Sequence, residues 1–193
     1  MALQLRISPQ QKVITKGYYD CSQDAGVPAL CIDDIKFLDE NFGLVLRTND
    51  GMVTSVLVIA DLSEQVYSKL FGALTENFTF VAMEDKRGVF DLIERAQAAK
   101  SEAAFADELS KFEAFALNEG ALTYYFAELS GDQLKPYRTA VEMLRSLPAN
   151  VRQADLIISD DQDGAYAMVN FSFPAKDMER LQSNMQKGKK EKF

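Results

Sequence analysis

Two turns that end in glycine constrain the fold of this chain more than any other feature. Residues 49–51, Asn-Asp-Gly, separate two apolar runs that together span about 44–60. Residues 160–164, which end Asp-Gly, separate two similar runs within about 154–173. Such turns supply the positive φ values that a tight β-hairpin requires. Because the strands of a hairpin are antiparallel by construction, these segments predict a mainly antiparallel sheet.

Helical patterns surround the two hairpins. Residues 89–118 are rich in Ala, Glu, Leu and Lys and predict a long helical segment, which Ser101 divides into two helices. A short helix capped by Asp33 or Asp34 is expected to extend to Phe42, and another helix is expected to begin at Asp132, with Pro136 in its first turn. Pro174 is expected to open a last helix. Regular βαβ alternation is absent, so we predict an α+β fold in which helices pack on the sheet formed by the two hairpins.

The two hairpins share a layout of strand, Asp-Gly turn, strand and helix start. Gly51 and Gly164 correspond in this layout, with an offset of 164 − 51 = 113 residues. Internal duplication is one explanation of the offset, and independent use of a common hairpin–helix unit is the other.

The length of 193 residues suits one domain or two small lobes. The first interpretation is a single α+β domain over residues 1–186. The second is a pair of intimately packed lobes, about 1–87 and 121–186, joined by the helical segment 89–118. In both, residues 187–193 form a basic tail.

The chain contains no histidine and two cysteines. Ser-His-Asp and Cys-His catalysis are therefore excluded, and so are His-ligated zinc or iron sites. The chain also lacks a P-loop and a GxGxxG fingerprint. We therefore expect no cofactor, and a non-enzyme is favoured over an enzyme.

The N-terminal residues show no apolar core of a signal peptide, and no run approaches 18 consecutive apolar residues. These observations predict a cytoplasmic protein with no membrane association. In that compartment Cys21 and Cys31 are expected to be reduced. Their spacing would also allow a disulfide in another compartment.

Negative charge is concentrated in the middle of the chain. The whole sequence has a net charge of −8, and residues 61–131 hold 13 acidic and 6 basic residues. This distribution repels nucleic acid and attracts a basic partner. Asp107, Glu108 and Glu113 lie in the helical part of this segment and are predicted to contribute to an acidic, partner-binding face.

Tyr18 and Tyr19 adjoin Gly17 and a loop, and outward tyrosines often mark recognition surfaces. We predict that both contact a partner. The basic tail offers the only cluster suited to phosphate contacts, and it is a weak nucleic-acid candidate: Lys187, Lys189, Lys190 and Lys192.

Acidic residues suggest two further sites. Six carboxylates would serve acid–base catalysis if they converged in a pocket: Asp33, Asp34, Asp39, Glu40, Asp61 and Glu64. The acidic turn at residues 160–164 fails the EF-hand spacing, because Ser159 and Asn170 would fall at positions 1 and 12. No metal site is therefore predicted.

The leading hypothesis is a non-catalytic protein–protein interaction protein, such as an adaptor, an inhibitor or an assembly component, with an acidic binding face. Its partner would be another protein or a second copy of the chain. One alternative is a carboxylate-based enzyme. The other is a nucleic-acid-associated protein similar in layout to a sliding-clamp protomer, although no clamp motif is matched and a nucleic-acid partner is not expected.

Overall fold

The computed structural model describes residues 17–161 and 164–176. The strands of this part of the chain are β1 (Tyr19–Asp20), β2 (Ala29–Phe37), β3 (Glu40–Asn49), β4 (Met52–Asp61), β5 (Thr79–Asp85), β6 (Gly88–Asp91), β7 (Ala121–Ala127), β8 (Gln153–Asp161) and β9 (Gly164–Ser172). Its helices are α1 (Ser22–Ala25), α2 (Glu64–Asn77), α3 (Leu92–Ala98), α4 (Glu102–Asn118), α5 (Gly131–Leu134) and α6 (Ala140–Arg145). Residues 174–176 are also helical, as expected after β9.

All of these strands belong to one sheet, in the order β1-β2-β3-β4-β9-β8-β7-β5-β6. Every neighbouring pair in this order is antiparallel. The predicted α+β fold with a mainly antiparallel sheet is therefore confirmed, and both predicted hairpins are present as β3–β4 and β8–β9. Because β4 pairs with β9, the two hairpins lie side by side in the same sheet.

The helix expected from Asp33 or Asp34 to Phe42 is wrong, since these residues belong to the hairpin of β2 and β3. Leu38 and Asp39 have φ angles of 51° and 62° and form its two-residue turn. The pairing register shifts between Ile32 and Ile35, so a β-bulge interrupts the alternation of side chains along β2. This bulge, together with a turn that contains no glycine, removes the usual sequence signals of a hairpin.

Two other helical predictions need correction. Residues 88–91 are not helical but form the edge strand β6, and their Asp91 then caps α3 by accepting a hydrogen bond from the Glu94 amide at 3.0 Å. The helix expected to begin at Asp132 is two short helices, α5 and α6, because Pro136 lies between them. The division at Ser101 is confirmed, since its hydroxyl caps α4.

The pairing of β4 with β9 is symmetric about one residue pair. Leu57 lies opposite Asn170, and 170 − 57 = 113 is the offset that separates Gly51 from Gly164. A two-fold axis through this pair places β2–β3–β4 on one side and β7–β8–β9 on the other, in matching antiparallel order. The register shifts in β2–β3 and β3–β4 have no counterpart in β7–β8 and β8–β9. The sheet thus has an internal two-fold pattern, as the repeated layout in the sequence suggested.

Helices α2 and α4 pack on one side of the sheet, which we call the helical face. Its core contains Leu70 of α2, Ala116 of α4, and Tyr124 and Leu156 of the sheet, all at most 1% exposed. On the opposite side, which we call the second face, α6 packs through Met143 against the β5–β7 end of the sheet. Another part of the second face carries the polar residues described below.

Cys21 and Cys31 form a disulfide, so the expectation of a reduced pair is wrong. The pairing is possible because β1 runs antiparallel to β2 and Cys21 directly follows β1, which brings its Cα to 5.8 Å from that of Cys31. The reduced pair was expected as a consequence of a cytoplasmic location, whereas disulfides are typical of oxidising compartments. None of the described helices combines the length and apolarity needed to cross a bilayer.

Candidate functional site

The predicted acidic residues of α4 do not act alike. Asp107 is exposed and pairs with Lys111 one turn later, with an N–O distance of 2.6 Å. Glu108 is also exposed and lies 3.6 Å from the guanidinium of Arg95 on α3. Both therefore lie on the outer surface of α4, as predicted, although each is partly neutralised by a basic neighbour.

Glu113 points inward and does not belong to this outer surface. Its Oε1 accepts hydrogen bonds from the hydroxyls of Tyr124 at 2.6 Å and Tyr67 at 3.2 Å. Burial raises the pKa of Tyr124, and the hydrogen bond to Glu113 raises it further. Burial also raises the pKa of Tyr67 to about 12. This carboxylate therefore links α4 to α2 and β7.

An exposed aromatic residue lies near the acidic residues of α4. Phe115 is 40% exposed and follows Glu108 by seven residues, which places both on the same side of the helix. The guanidinium of Arg87 stacks on its ring at 3.7 Å from the centroid. Asp85, which is buried, accepts from Arg87 Nε at 2.6 Å and holds the guanidinium in place. We call Asp107, Glu108, Phe115 and Arg87 the α4 surface.

Tyr18 and Tyr19 lie at the opposite edge of the sheet from α4. Tyr19 is 46% exposed, and its hydroxyl donates to Asp33. This hydrogen bond raises the pKa of Tyr19. Tyr18 precedes β1 and is partly exposed. The two tyrosines are accessible, but the structure does not bring them together with the α4 surface.

The six carboxylates proposed for catalysis do not converge. Asp33 and Asp34 are exposed on β2, and Glu40 is bound to Lys69 at 2.6 Å. Asp61 and Glu64 are exposed near the end of β4 and the start of α2. Within residues 17–161 and 164–176, no three His, Cys, Asp or Glu side chains are close enough to hold a metal ion. The four tail lysines lie outside the described residues.

A polar row crosses the second face of the sheet and was not singled out in the sequence. Arg47 of β3 lies opposite Ser55 of β4, Ser55 lies opposite Ser172 of β9, and Ser172 lies opposite Gln153 of β8. Paired residues of neighbouring strands project to the same face, so these four side chains form one continuous row. A register shift directly after Arg47 marks a β-bulge at the start of the row.

A second polar group adjoins this row. Asp155 accepts a hydrogen bond from Gln153 Nε2 at 2.6 Å and one from Asn170 Nδ2 at 3.3 Å. Burial raises the pKa of the Asp155 carboxyl, and the two amide donors oppose this effect. Because Asn170 directs its amino group to Asp155, its Oδ1 is left buried, and no described residue forms a hydrogen bond with it.

The polar row lines a cavity of about 760 Å³, which we call the Arg47 cavity. Its lining residues are Val27, Pro28, Arg47, Thr48, Asn49, Thr54, Ser55, Gln153, Asn170, Ser172 and Pro174. The Nε of Arg47 is buried and has no hydrogen-bond partner among residues 17–161 and 164–176. Within this part of the chain, the cavity therefore presents one unpaired donor at Arg47 and one unpaired acceptor at Asn170.

One sequence signal would have led to this cavity. Arg47, Asp155 and Asn170 interrupt strands whose other residues are mostly apolar, and each occupies a position that alternation assigns to one face. The relative placement of the three strands was the missing information, because β3 and β8 become near neighbours only through the pairing of β4 with β9.

Comparisons with protein-family models, with curated proteins and with solved structures found no match for the chain. The α4 surface and the Arg47 cavity are therefore interpreted from the chemistry of their own residues.

Proposed function

We propose that the chain is a non-catalytic protein-binding protein, acting as an adaptor, an inhibitor or an assembly component. Its binding site is the α4 surface, and its partner is a protein with basic side chains around an apolar one. The observation that carries the proposal is the exposed ring of Phe115 stacked under Arg87 at the edge of an acidic helix.

Phe115 and Arg87 form a preorganised contact. Aromatic and arginine side chains dominate the energetics of many interfaces. Arg87 is fixed by Asp85 and also donates to the Phe112 carbonyl at 3.3 Å. Although burial acts in the opposite direction, the hydrogen bonds from Arg87 lower the pKa of Asp85, so this anchor is ionised at neutral pH. A partner that covers Phe115 therefore meets an ordered surface, which reduces the entropic penalty of binding.

The charge of α4 selects the partner. Its exposed surface carries four carboxylates against a single lysine, Lys111: Glu102, Asp107, Glu108 and the capping Glu119. Lys86 and Arg95 pair with Glu119 and Glu108, but exposed ion pairs of this kind are weak and exchange readily for a partner's charges. A basic partner is therefore steered toward α4.

Affinity capture of the full chain from its source cell, repeated at increasing salt, tests this proposal. We expect a stoichiometric protein partner that is lost with Phe115→Ala and with Glu108→Lys. Asp132→Lys is the matched control, because Asp132 is an exposed carboxylate of α5 with its own lysine neighbour, Lys135. This control should retain the partner.

Two results would count against the α4 surface. Recovery of a monomer without any protein would exclude a stable partner. Equal retention of the partner by Phe115→Ala, Glu108→Lys and the control would place the interface elsewhere. No observation in the described residues favours the carboxylate-based enzyme or the nucleic-acid-associated protein over this proposal.

A further inference from the structure

The Arg47 cavity lies on the second face of the sheet, opposite α4, and is independent of the α4 surface. Arg47 forms no salt bridge or side-chain hydrogen bond within the described residues, and its Nε is buried. A buried N–H donor without a hydrogen-bond partner is unfavourable for the folded protein. An anion in the cavity would give this guanidinium the partner that the described residues do not supply.

The lining of the cavity fits a monoanion. Arg47 is its single charged residue, and the other polar lining groups are the neutral hydroxyls and amides of serine, threonine, asparagine and glutamine. Asp155 lies directly behind Gln153 and Asn170, so added negative charge would be repelled. A planar guanidinium matches a carboxylate through two parallel hydrogen bonds. These features favour a carboxylate over a doubly charged phosphate.

The unpaired oxygen of Asn170 specifies a second feature of the ligand. Its Oδ1 is a buried acceptor, so it requires an N–H or O–H donor. An N-acylated amino acid, like the last residue of a peptide, carries an N–H two bonds from its carboxylate carbon. Such a ligand carries both chemical groups that the cavity calls for: a carboxylate for Arg47 and an N–H donor for Asn170.

One wall of the cavity is apolar and is held in place. Val27, Pro28 and Pro174 line it, and the Pro28 carbonyl accepts from the Thr48 amide at 2.8 Å. The disulfide to Cys31 closes the loop that carries Val27 and Pro28. The cavity volume lies within the range typical of small-ligand sites. An apolar amino-acid side chain suits this wall.

The internal two-fold pattern shows that the sheet does not require a polar row here. The row related to the polar one by the two-fold axis consists of Gly43, Ile59, Met168 and Ile157. In this relation Ile157 is the counterpart of Arg47. On the other side of the axis the sheet forms with apolar residues in the corresponding row and without the bulge that follows Arg47. Strand pairing in this sheet therefore does not depend on a polar row.

We propose that the Arg47 cavity binds the carboxylate of an N-acylated amino acid or of the C-terminal residue of a peptide. Arg47 binds the carboxylate, Asn170 accepts from the adjacent N–H, and the wall formed by Val27, Pro28 and Pro174 contacts the side chain.

Titration of the full, disulfide-bonded chain with N-acetyl-Ala-Leu tests this site. Calorimetry gives the affinity, and the Nε–H signal of Arg47 in a ¹⁵N correlation spectrum reports contact with the guanidinium. The C-terminal amide of the same peptide is the matched ligand control. We expect the acid to bind at least about tenfold more tightly than the amide, because the amide loses the charge-assisted pair.

Variants assign the effect to Arg47. Arg47→Gln should weaken binding of the acid by about tenfold or more, and Arg47→Lys should weaken it less because the charge is kept without the planar fork. Arg138→Gln, an exposed arginine outside the cavity, should bind like the original chain. If Arg47→Gln fails to fold, the comparison of acid and amide on the unchanged protein still decides the question.

N-acetyl-leucine distinguishes the two sources of the ligand. Equal affinity for N-acetyl-leucine and the dipeptide identifies a free acyl amino acid, whereas tighter binding of the dipeptide identifies a peptide C-terminus. Binding of acid and amide with equal affinity would overturn the proposal. So would no binding up to about 10 mM, which corresponds to less than about 3 kcal/mol, tighter binding of inorganic phosphate, or an unchanged affinity of Arg47→Gln.

Discussion

Replacement of Glu113 tests whether this carboxylate stabilises the fold or contributes to partner binding. The sequence places Glu113 with Asp107 and Glu108 in one acidic group, whereas the structure turns it toward two tyrosines. Its Oε1 accepts from Tyr124, whose side chain is fully buried, and from Tyr67. We therefore expect Glu113→Ala to reduce stability strongly.

The size of this effect follows from the hydrogen bonds that are lost. A hydrogen bond to a charged group contributes about 1.5–3 kcal/mol. Glu113→Ala removes two, while the contact between the hydroxyls of Tyr67 and Tyr124 at 3.0 Å is retained. We expect the free energy of unfolding to fall by about 3 kcal/mol, which is the lower end of the sum for two such bonds. The lower end applies because the two tyrosine hydroxyls still bond each other and because alanine favours the helix. For an exposed i,i+4 pair, Asp107→Ala should cost about 0.4 kcal/mol.

Urea unfolding of Glu113→Ala and Asp107→Ala measures this difference. The same measurement on Tyr124→Phe and on the double variant Glu113→Ala with Tyr124→Phe completes a double-mutant cycle. The double-mutant cycle should give a coupling energy of about 1 kcal/mol or more between Glu113 and Tyr124. In a chain of this length, the loss for Glu113→Ala corresponds to a decrease of about 6–12 °C in melting temperature. If Glu113→Ala is as stable as Asp107→Ala and instead loses a protein partner, the reasoning is wrong and Glu113 belongs to the interface.

Three further changes test the structure. Reduction of the Cys21–Cys31 disulfide, with its sequence separation of 10, should lower the unfolding free energy by about 2.7 kcal/mol on the chain-entropy relation. Urea unfolding with and without reductant measures this, and a Cys→Ser double variant should not respond to reductant. Because the folded-state pKa of Tyr67 is raised to about 12, its stabilising effect is complete below pH ~10 and is lost as the pH rises toward 12, at up to about 1.4 kcal/mol per pH unit. Across this pH range, the urea midpoint of Tyr67→Phe should fall less steeply with pH than that of the original chain. Equal slopes would show that Tyr67 does not cause the pH dependence. Asp91→Ala should cost about 2–4 kcal/mol in urea unfolding, because this buried carboxylate caps α3 and accepts from the Ala140 amide at 2.6 Å. Asp91→Asn should lose less, because its amide oxygen can still accept one of the two hydrogen bonds, and a loss equal to that of Asp91→Ala would contradict this expectation.

The parts of the fold that were predictable are those with strong local signals. The hairpin of β3 and β4 follows from its turn, since Asp50 and Gly51 adopt φ angles of 50° and 73°. Ser101 was recognised because a serine before an alanine- and glutamate-rich run is a common helix start. The hairpin of β2 and β3 was missed because Leu38 and Asp39 adopt positive φ values without glycine, which is uncommon for such residues.

The site depended on information that sequence spacing does not contain. Exposure of Asp107 and Glu108 followed from the helical pattern, but the inward direction of Glu113 depends on the position of Tyr124 in a strand that follows α4. The Arg47 cavity draws its residues from β3, β4, β8 and β9, which are far apart in the chain. Cys21 and Cys31 likewise become partners only because β1 pairs with β2.

The internal two-fold pattern separates the residues that the fold needs from those that it does not. On the helical face, counterparts agree in chemistry: Val58 of β4 corresponds to Phe171 of β9, and Val56 corresponds to Val169. On the second face, counterparts differ in chemistry: Arg47 corresponds to Ile157, and Ser55 corresponds to Met168. Packing explains the agreement on the helical face, because both halves must cover the same core. It does not explain the difference on the second face, where the apolar residues of one half show what the sheet accepts. A buried Arg47 Nε without a hydrogen-bond partner among the described residues lowers stability relative to such a residue. Its presence is therefore better explained by ligand binding than by folding.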